Sequence, residues 1–352
     1  MVTNGTLTSW DEVKVGDELG PLLFPVTFKT LLLQAAGTRD FMPHHHHGEY
    51  CRSVGIRDAF VNTMFYQGLL GRFATDWAGP WSDIRSATLE MGDPLCLGDT
   101  ARVTGRVVQK WAARGGACVE LSLRVDNAEG PTATSTTVLA MPSKGTGEVA
   151  VADLGDLPVV APRADMPAHA REALGVRTTR RGAYPVSVAQ IMYWCEMVRD
   201  SNPLYTESRY ARSGRYGGIV APPTSLLIWT FGRSTQLGVD SAHPDVDLPD
   251  QEAWPEPHQV GPIEYRVPGL SHIVMQRIAA EFGVPLRPGD RVAATTELVD
   301  CTPVKRTRLG TGHFTTHLDV HRNQHGDVVG RAVLTAFQCL SPEQVTTPDV
   351  DD

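Results

Sequence analysis

Asp40-Phe41-Met42-Pro43-His44-His45 is echoed 160 residues later by Asp200-Ser201-Asn202-Pro203-Leu204-Tyr205. In both places an aspartate precedes a turn that contains proline. Further along, residues 59–63 correspond to residues 219–223, and an apolar helical stretch starts at each. An internal repeat of this length predicts two copies of one structural unit.

The repeat continues beyond the two helices. Gly98-Asp99 corresponds to Gly289-Asp290 at an offset of 191, so the second copy carries an insertion of about 31 residues, which we place within 234–286. Strand-like alternation of apolar and polar residues then follows in both copies. The predicted strands are 100–108, 117–125 and 131–141 in the first copy, and 290–300, 311–322 and 328–339 in the second.

A helix before a mostly antiparallel sheet makes each unit an α+β structure. The first helix is predicted over 63–77, because Phe65, Leu69, Phe73 and Trp77 are four residues apart. Its counterpart, 224–233, is short and apolar and is expected to be enclosed. We predict a first domain at 1–148, a linker at 149–182, a second domain at 183–345 and a tail at 346–352.

Composition narrows the classes of function. The chain has 352 residues, a net charge of −8 and 41% hydrophobic residues, which is typical of a globular protein. No long basic run is present, which argues against a nucleic-acid partner. No apolar run is long enough for a membrane span, and the start does not resemble a signal peptide. Six scattered cysteines without a Cys-x-x-Cys pair indicate reduced thiols and a cytoplasmic protein.

Asp40 and His45 are the candidate catalytic pair. A carboxylate and an imidazole on either side of a turn with proline can face one water molecule and share acid-base work on it. An aspartate before a turn is also a common local cap, so the pair alone is a weak signal.

These residues, the helix at Thr63 and the Gly98-Asp99 strand resemble the MaoC-like hot-dog family, which includes (R)-specific enoyl-CoA hydratases and hydroxyacyl dehydratases. The family motif is Asp, any, Asn, Pro, any, His. The resemblance implies a double hot-dog: two curved antiparallel sheets, each wrapped around a central helix. It also implies that Asp40 and His45 hold the water that is added to, or removed from, C3 of an acyl thioester. We expect His45 as the base toward water and Asp40 as its acid partner.

The same resemblance implies an oxyanion site at the start of the central helix, at Asn62 and Thr63. A helix N-terminus presents backbone N–H groups and a positive dipole end, which suits an enolate-like oxygen. In the second copy, Tyr205 replaces His45 and Pro223 has no N–H to donate. We therefore expect one active site per chain, with a degenerate second half that shapes the acyl tunnel.

The chain departs from the family at three positions. Met42 replaces the usual Asn, His47 stands where Asp is common, and Thr63 replaces the usual Gly. The two halves also resemble the two subunits of the paired actinobacterial hydratases of steroid side-chain acyl-CoA, as if fused. This resemblance suggests a bulky acyl group.

The remaining motifs have less specific interpretations. His44 to His47 invites a metal site, but no Cys or carboxylate completes it, so no metal is predicted. His313, His317, His321 and His325 alternate with apolar residues, which indicates a polar face of a strand. Lys305, Arg306 and Arg308 could contact CoA phosphates, although solvated surface charges are the better explanation from the sequence alone.

The predicted function is a hydratase or dehydratase (a hydro-lyase) without a cofactor, acting on an acyl-CoA or acyl-ACP thioester. A homodimer is compatible with this prediction. The alternatives are a non-catalytic acyl-thioester binder or scaffold, a 3-hydroxyacyl-ACP dehydratase, and a hot-dog thioesterase. The thioesterase lacks an evident acidic residue on the first central helix.

Overall fold

The computed structural model describes residues 9–113, 116–145, 149–152, 154–155, 160–232, 265–270 and 272–340. The predicted tail and residues 234–264 of the predicted insertion lie outside them. Within the described residues, no helix is long and apolar enough to cross a membrane.

The strands are β1 (Glu18–Pro25), β2 (Asp83–Met91), β3 (Thr100–Ala113), β4 (Gly116–Asp126), β5 (Pro131–Met141), β6 (Arg177–Arg181), β7 (His272–Phe282), β8 (Ala293–Cys301), β9 (Lys305–Thr307), β10 (Gly310–Arg322) and β11 (Val328–Cys339). The α-helices are α1 (Phe28–Thr38), α2 (Gly48–Ser53), α3 (Thr63–Ala78), α4 (Ala168–Arg171), α5 (Val188–Val198), α6 (Pro203–Thr206) and α7 (Ser208–Ser213). Short 3-10 helices cover Trp10–Glu12, Pro43–His45 and Pro223–Thr230.

The strands form one antiparallel sheet with a mirrored order. From edge to edge it runs β1-β3-β4-β5-β2-β7-β11-β10-β8-β6, and β9 pairs with β10. The first five strands come from the first copy and the last five from the second, and β2 pairs with β7 at the seam. Each copy thus contributes an equivalent half, which is the double hot-dog arrangement implied by the resemblance.

The two central helices differ in kind. Helix α3 has the predicted start and ends one residue after the predicted end, and twelve of its sixteen residues are buried. Its counterpart is the eight-residue 3-10 helix Pro223–Thr230, which is enclosed as expected. At about 1.5 Å per residue for α-helix and about 2.0 Å for 3-10 helix, the second central helix is shorter by roughly 8 Å.

One predicted boundary needs correction. Strand β6 lies inside the segment predicted as linker and pairs with β8, so the second unit begins before residue 183. This segment is a strand because it pairs with a distant strand, and not because of local alternation. Strand β7 lies within the window 234–286 in which the insertion of about 31 residues was placed, and it forms the seam with β2.

Helices α1 and α5 pack together and repeat the same local features 160 residues apart. Each ends at an arginine in the left-handed conformation, Arg39 (φ 58°) and Arg199 (φ 58°). The Arg39 guanidinium lies 4.6 Å from the ring centroid of Tyr184, in the second copy. The Arg199 guanidinium lies 4.6 Å from the centroid of Phe24, in the first. The copies are therefore joined by reciprocal cation–π contacts.

Gly37 lies where α1 and α5 approach most closely, and this gives a test of the packing. A Cβ atom at Gly37 would lie 2.9 Å from the carbonyl oxygen of Tyr193. We expect Gly37→Leu to lower the free energy of unfolding by about 2–3 kcal/mol, because the helices must separate to admit the side chain. Urea unfolding monitored by circular dichroism measures this loss.

Gly218→Leu is the matched control, because no atom lies within 4 Å of a Cβ at Gly218 and its φ is not positive. We expect its free energy of unfolding to stay within about 0.5 kcal/mol of the wild-type value. Equal stability of both variants would contradict the close approach at Gly37.

Candidate active site

The turn after α1 brings Asp40 and His45 together. Arg39 ends the helix in the left-handed conformation, and Asp40 then accepts the backbone N–H of Met42 at 3.3 Å. Pro43 begins the 3-10 helix that leads to His45. The His45 Nε2 atom lies 3.3 Å from Asp40 Oδ2, and the two side chains keep 11% and 12% of their surfaces exposed. The predicted pair therefore forms a mostly buried dyad that keeps a small exposed surface.

A backbone carbonyl sets the orientation of the imidazole. His45 Nδ1 lies 3.0 Å from the carbonyl oxygen of Phe60. A carbonyl oxygen only accepts hydrogen bonds, so Nδ1 carries a proton and donates it. The other ring nitrogen, Nε2, therefore faces Asp40 as the atom that can take up or release a proton.

The surroundings of Asp40 favour its ionised form. Burial by itself raises the pKa of Asp40, but the hydrogen bond and charge of His45 lower it, as do the Met42 N–H and the Asn62 amide. The balance places the pKa of Asp40 below its ordinary value of 3.8. At neutral pH the dyad thus contains a carboxylate.

Asn62 holds the dyad against the central helix. Its Oδ1 accepts the N–H of Phe65 and so caps α3, a common role for asparagine at this position. Its Nδ2 donates to Asp40 Oδ2 at 3.3 Å and to Thr38 Oγ1 at 2.8 Å. Asn62 is therefore a positioning residue, and its own N–H is already bound to Gln34.

Thr63, the first residue of α3, offers the backbone donor that the sequence predicted. Its N–H is one of those without a partner inside the helix, and it makes no hydrogen bond within the described part of the chain. The Thr63 hydroxyl donates to Met91 Sδ at 3.2 Å. The N–H group can therefore bind a carbonyl oxygen beside the dyad.

Sequence reasoning missed Gln34, which ties the site together. Its side chain is fully buried on α1, and Oε1 accepts the N–H of Asn62 at 2.9 Å. Its Nε2 donates to the carbonyl oxygens of Phe60 at 3.3 Å and His45 at 3.4 Å. The repeat offered one signal for Gln34. The equivalent residue is Trp194 in the second copy, so Gln34 differs between the copies in the same way as His45 does.

The second copy has lost this network as a unit. At the same offset of 160, Trp194, Val198, Tyr205, Pro222 and Pro223 replace Gln34, Thr38, His45, Asn62 and Thr63. Burial raises the pKa of the remaining Asp200 to about 6, and nearby Asp76 adds to this, while the Asn202 N–H and Arg72 oppose it. An open cavity of about 480 Å³ lies beside Asp200, and neither member of the dyad lines it.

The four consecutive histidines have separate surroundings. His44 packs edge-on against Tyr50, and its ring centroid lies 6.1 Å from that of His272 on β7. Burial, together with the charges of His45 and His272, lowers the pKa of His44 to about 4. His47 Nδ1 accepts the N–H of Tyr50 and caps α2. Within the described residues, no group of three or more acidic, histidine or cysteine side chains could hold a metal ion.

The predicted phosphate contacts lie on β9 and the turn after it. Lys305 and Arg306 are exposed, and Arg308 forms an ion pair with Asp93 of the first copy. Lys305 pairs with Gly312 on β10, Gly312 pairs with Cys339 on β11, and Cys339 pairs with His272 on β7. The basic strand therefore shares one end of the sheet with His272 and His44.

Gln34→Leu tests whether the buried amide holds the site together. We expect it to lower the free energy of unfolding by about 2–4 kcal/mol, since one backbone N–H and two carbonyls lose a buried partner. Gln67→Leu is the control, because Gln67 is also buried but its Oε1 has no partner among the described residues. Chemical denaturation compares them, and equal losses would show that the Gln34 hydrogen bonds do not matter.

Asn62→Ala tests the cause of the low pKa of Asp40. Loss of the amide donor should raise that pKa, which carbon NMR titration of the carboxyl group measures. A carboxyl whose pKa is lowered by folding stabilises the fold above its unfolded pKa, and loses this effect as pH falls through the folded value. The variant should therefore lose less stability on acidification.

Asn202→Ala is the matched control in the second copy, where Asn202 caps α6 by accepting the N–H of Leu204. It should leave the pKa of Asp40 unchanged. The same pKa of Asp40 in wild type and Asn62→Ala would refute the role given to the Asn62 amide.

Comparison with known proteins agrees with this architecture. Residues 172–332 match a family model described as the FAS1-like, dehydratase domain region. Over 171 residues the chain is 32% identical to the "Probable enoyl-CoA hydratase alpha subunit" of Thermomonospora curvata, covering 47% of this chain and 49% of the relative. Over 73 residues it is 41% identical to the 3-oxo-4,17-pregnadiene-20-carboxyl-CoA hydratase beta subunit of Mycobacterium tuberculosis, covering 21% of this chain and 57% of the relative.

The chain thus spans about half the length of these curated relatives. A solved MaoC-like dehydratase from Phytophthora capsici superimposes with a TM-score of 0.53 at 13% identity, over 96% of this chain and 99% of that one. At such low identity the likeness concerns the fold alone. A solved Mycobacterium tuberculosis protein described as having a double hot-dog fold superimposes with a TM-score of 0.61 at 11% identity, over 94% of this chain and 98% of that one, and it confirms the double hot-dog fold that the resemblance implied.

Proposed function

We propose that this chain, which belongs by its fold to the MaoC-like double hot-dog proteins, adds water to a 2-enoyl-CoA thioester or removes it from the 3-hydroxyacyl-CoA product. The observation that carries the proposal is the 3.3 Å pair of His45 Nε2 and Asp40 Oδ2 beside the Thr63 N–H at the start of α3. The names of the relatives, which are acyl-CoA hydratase subunits, support the same reaction.

The chemistry needs one base and one acid acting on the same water. The Asp40 carboxylate takes a proton from water while its oxygen adds to C3, and protonated His45 Nε2 gives a proton to C2. The Thr63 N–H stabilises the negative charge that develops on the thioester oxygen. The proton then passes from Asp40 to His45 across their contact, which restores the dyad. Dehydration follows the same steps in reverse.

This division of roles is opposite to the one expected from the sequence. A carboxyl with a lowered pKa is a poor acid partner at neutral pH, because it seldom holds a proton. The hydrogen bond from His45 Nδ1 to the Phe60 carbonyl leaves Nε2 as the ring atom that faces Asp40 at 3.3 Å and can pass a proton to the substrate. We therefore assign the base to Asp40 and the acid to His45.

The acyl group is proposed to be bulky and bound as a CoA ester. The second central helix has eight residues where α3 has sixteen, so it covers less of its half of the sheet, which supports this proposal. One relative is named for a pregnadiene-carboxyl-CoA, whose acyl group has fused rings. Lys305 and Arg306 are exposed and lie about 14 Å from His272 at a strand spacing of about 4.8 Å, which supports them as candidate contacts for CoA phosphates.

Two further assignments stay proposals. The six cysteines are buried and unpaired, which supports a cytoplasmic location. Self-association as a homodimer is supported by apolar side chains on the outer surface of α1 and α5, namely Phe28 (57% exposed), Leu32 (52%) and Tyr193 (46%).

Loss of either dyad residue should abolish turnover. In an absorbance assay at the enoyl-thioester band, we expect Asp40→Asn and His45→Ala to lower kcat by about 100- to 10,000-fold, the range for lost acid-base groups. Asp200→Asn and Tyr205→Phe change the equivalent residues of the second copy and are the matched controls, with wild-type kcat expected.

Wild-type turnover by both first-copy variants would overturn the assignment. Tight binding of CoA esters in calorimetry without any turnover by the wild type would instead support the non-catalytic thioester binder. Release of free thiol would support the thioesterase.

A further inference from the structure

Asp200 is the acidic residue of the dyad motif that the second copy keeps, although the proposed chemistry does not use it. Its counterpart Asp40 has His45 as a partner, whereas Tyr205 stands at that place in the second copy. Asp200 Oδ1 accepts the backbone N–H of Asn202 at 2.9 Å, which stabilises the local turn. An asparagine side chain makes the same turn contact without a charge. The turn therefore explains one oxygen of Asp200 but not the carboxyl group.

The second oxygen of Asp200 has no partner in the protein. The residue is 7% exposed and lies in the wall of the open cavity of about 480 Å³. Within the described part of the chain, Oδ2 accepts no hydrogen bond and forms no ion pair. Most of these carboxyl groups are ionised at neutral pH, since burial and Asp76 raise the pKa to about 6 and no higher. A buried carboxylate oxygen that faces a cavity without a partner calls for a donor from a ligand or water.

The cavity lies at one end of the contact between α1 and α5, and the two ends of this contact differ. At the other end, Gln190 of α5 donates to the carbonyl oxygens of Ala36 at 3.0 Å and Gly37 at 2.7 Å. The equivalent residue, at the offset of 160, is Thr30. Its shorter side chain lines the cavity and bonds to Thr27 within its own turn. The long side chain that bridges the helices at one end is thus absent at the end beside Asp200.

Much of the cavity wall is apolar. Four apolar side chains line it, namely Phe24, Leu33, Met192 and Met197. Methionine side chains are flexible and make favourable sulfur contacts with aromatic rings. A volume of this size is in the range of small-molecule sites, which combine apolar walls with a few polar groups. The wall therefore suits a ligand with a compact apolar body, and an aromatic ring in particular.

The cations of the wall do not neutralise Asp200. Lys29 and Arg199 line the cavity but are exposed, and the Arg199 guanidinium is stacked on an aromatic ring of β1. Among the described residues, the charges that shift the pKa of Asp200 are those of Asp76 and Arg72, which form an ion pair with each other. The buried end of the cavity therefore presents a negative charge without a cation of its own.

We infer that this cavity binds an organic ammonium compound, with the ammonium group on Asp200 Oδ2 and an apolar body against Phe24 and the two methionines. An ammonium group donates a charge-assisted hydrogen bond to a carboxylate, which is stronger than a bond between neutral groups. An anion would be repelled by Asp200, and a hydrocarbon would leave its oxygen without a partner. Neither dyad residue lines the cavity, so the inference goes beyond the proposed function and does not depend on it.

Three probes of similar shape but different charge test the inference: phenethylammonium, phenethyl alcohol and phenylpropionate. In calorimetry with the wild type at neutral pH, we expect the ammonium to bind about 10- to 100-fold more tightly than the alcohol, as one hydrogen bond to a charged group provides. The carboxylate should bind more weakly than the alcohol. In Asp200→Asn, which keeps the turn contact, the affinities for the ammonium and the alcohol should become equal.

Asp40→Asn is the matched control, because Asp40 is the buried carboxyl group at the equivalent place in the first copy and does not line the cavity. It should bind the ammonium as tightly as the wild type does. Glu196→Gln removes an exposed carboxylate from the cavity wall and should weaken the ammonium by no more than about fivefold, since exposed charge pairs contribute little.

Carbon NMR titration of the Asp200 carboxyl group places the contact at this residue. Saturating phenethylammonium should lower the pKa from about 6, because a cation favours the ionised carboxyl group. Equal wild-type affinities for the ammonium and the alcohol, a preference that persists in Asp200→Asn, or no binding of any probe would overturn the inference.

These measurements need no turnover, so they separate the cavity from the proposed function. An ammonium preference that Asp200→Asn removes would support the site even if the wild type hydrates no enoyl thioester. Hydration by a wild type that binds no ammonium probe would reject the site and leave the proposed function intact.

Discussion

The hydrogen bond from His45 Nδ1 to the carbonyl oxygen of Phe60 is the constraint on which the proposed chemistry depends. It determines which ring nitrogen faces Asp40, and it joins the turn that contains His45 to the segment that leads into α3. The Gln34 amide donates to the same Phe60 carbonyl oxygen and to that of His45, and it accepts the N–H of Asn62. The Asp40–His45 dyad and the proposed oxyanion donor at Thr63 are thus linked by one buried set of hydrogen bonds.

The second copy shows what happens when this set is lost. Asp200 persists, but its partners are replaced by a tyrosine, prolines and apolar residues at the same offset. Without an imidazole beside it, burial dominates and the pKa of Asp200 moves up instead of down. A carboxylate at the right position in the fold is therefore insufficient, because its charge state depends on residues from other elements.

The sequence predicted the features that depend on local pattern. Thr63 begins α3 as expected, and the resemblance to the MaoC-like family, more than the spacing around Pro43, pointed to Asp40 and His45, which lie 3.3 Å apart. Gln34 was missed because its partners come from other segments, and no local motif marks it. The side chain of His317 on β10 is buried and faces the core. This direction was not predicted, because alternation shows that a strand has two faces but not which one meets the core.

Both halves belong to one polypeptide and are joined through the β2–β7 seam. This has a consequence for how the two halves assemble. Two hot-dog units encoded separately must find each other at cellular concentrations, and an excess of either one leaves an exposed sheet edge. A covalent connection keeps the second unit at a high local concentration around the first and fixes their ratio at one to one. The two halves can then diverge in sequence without the hazard of mismatched pairing.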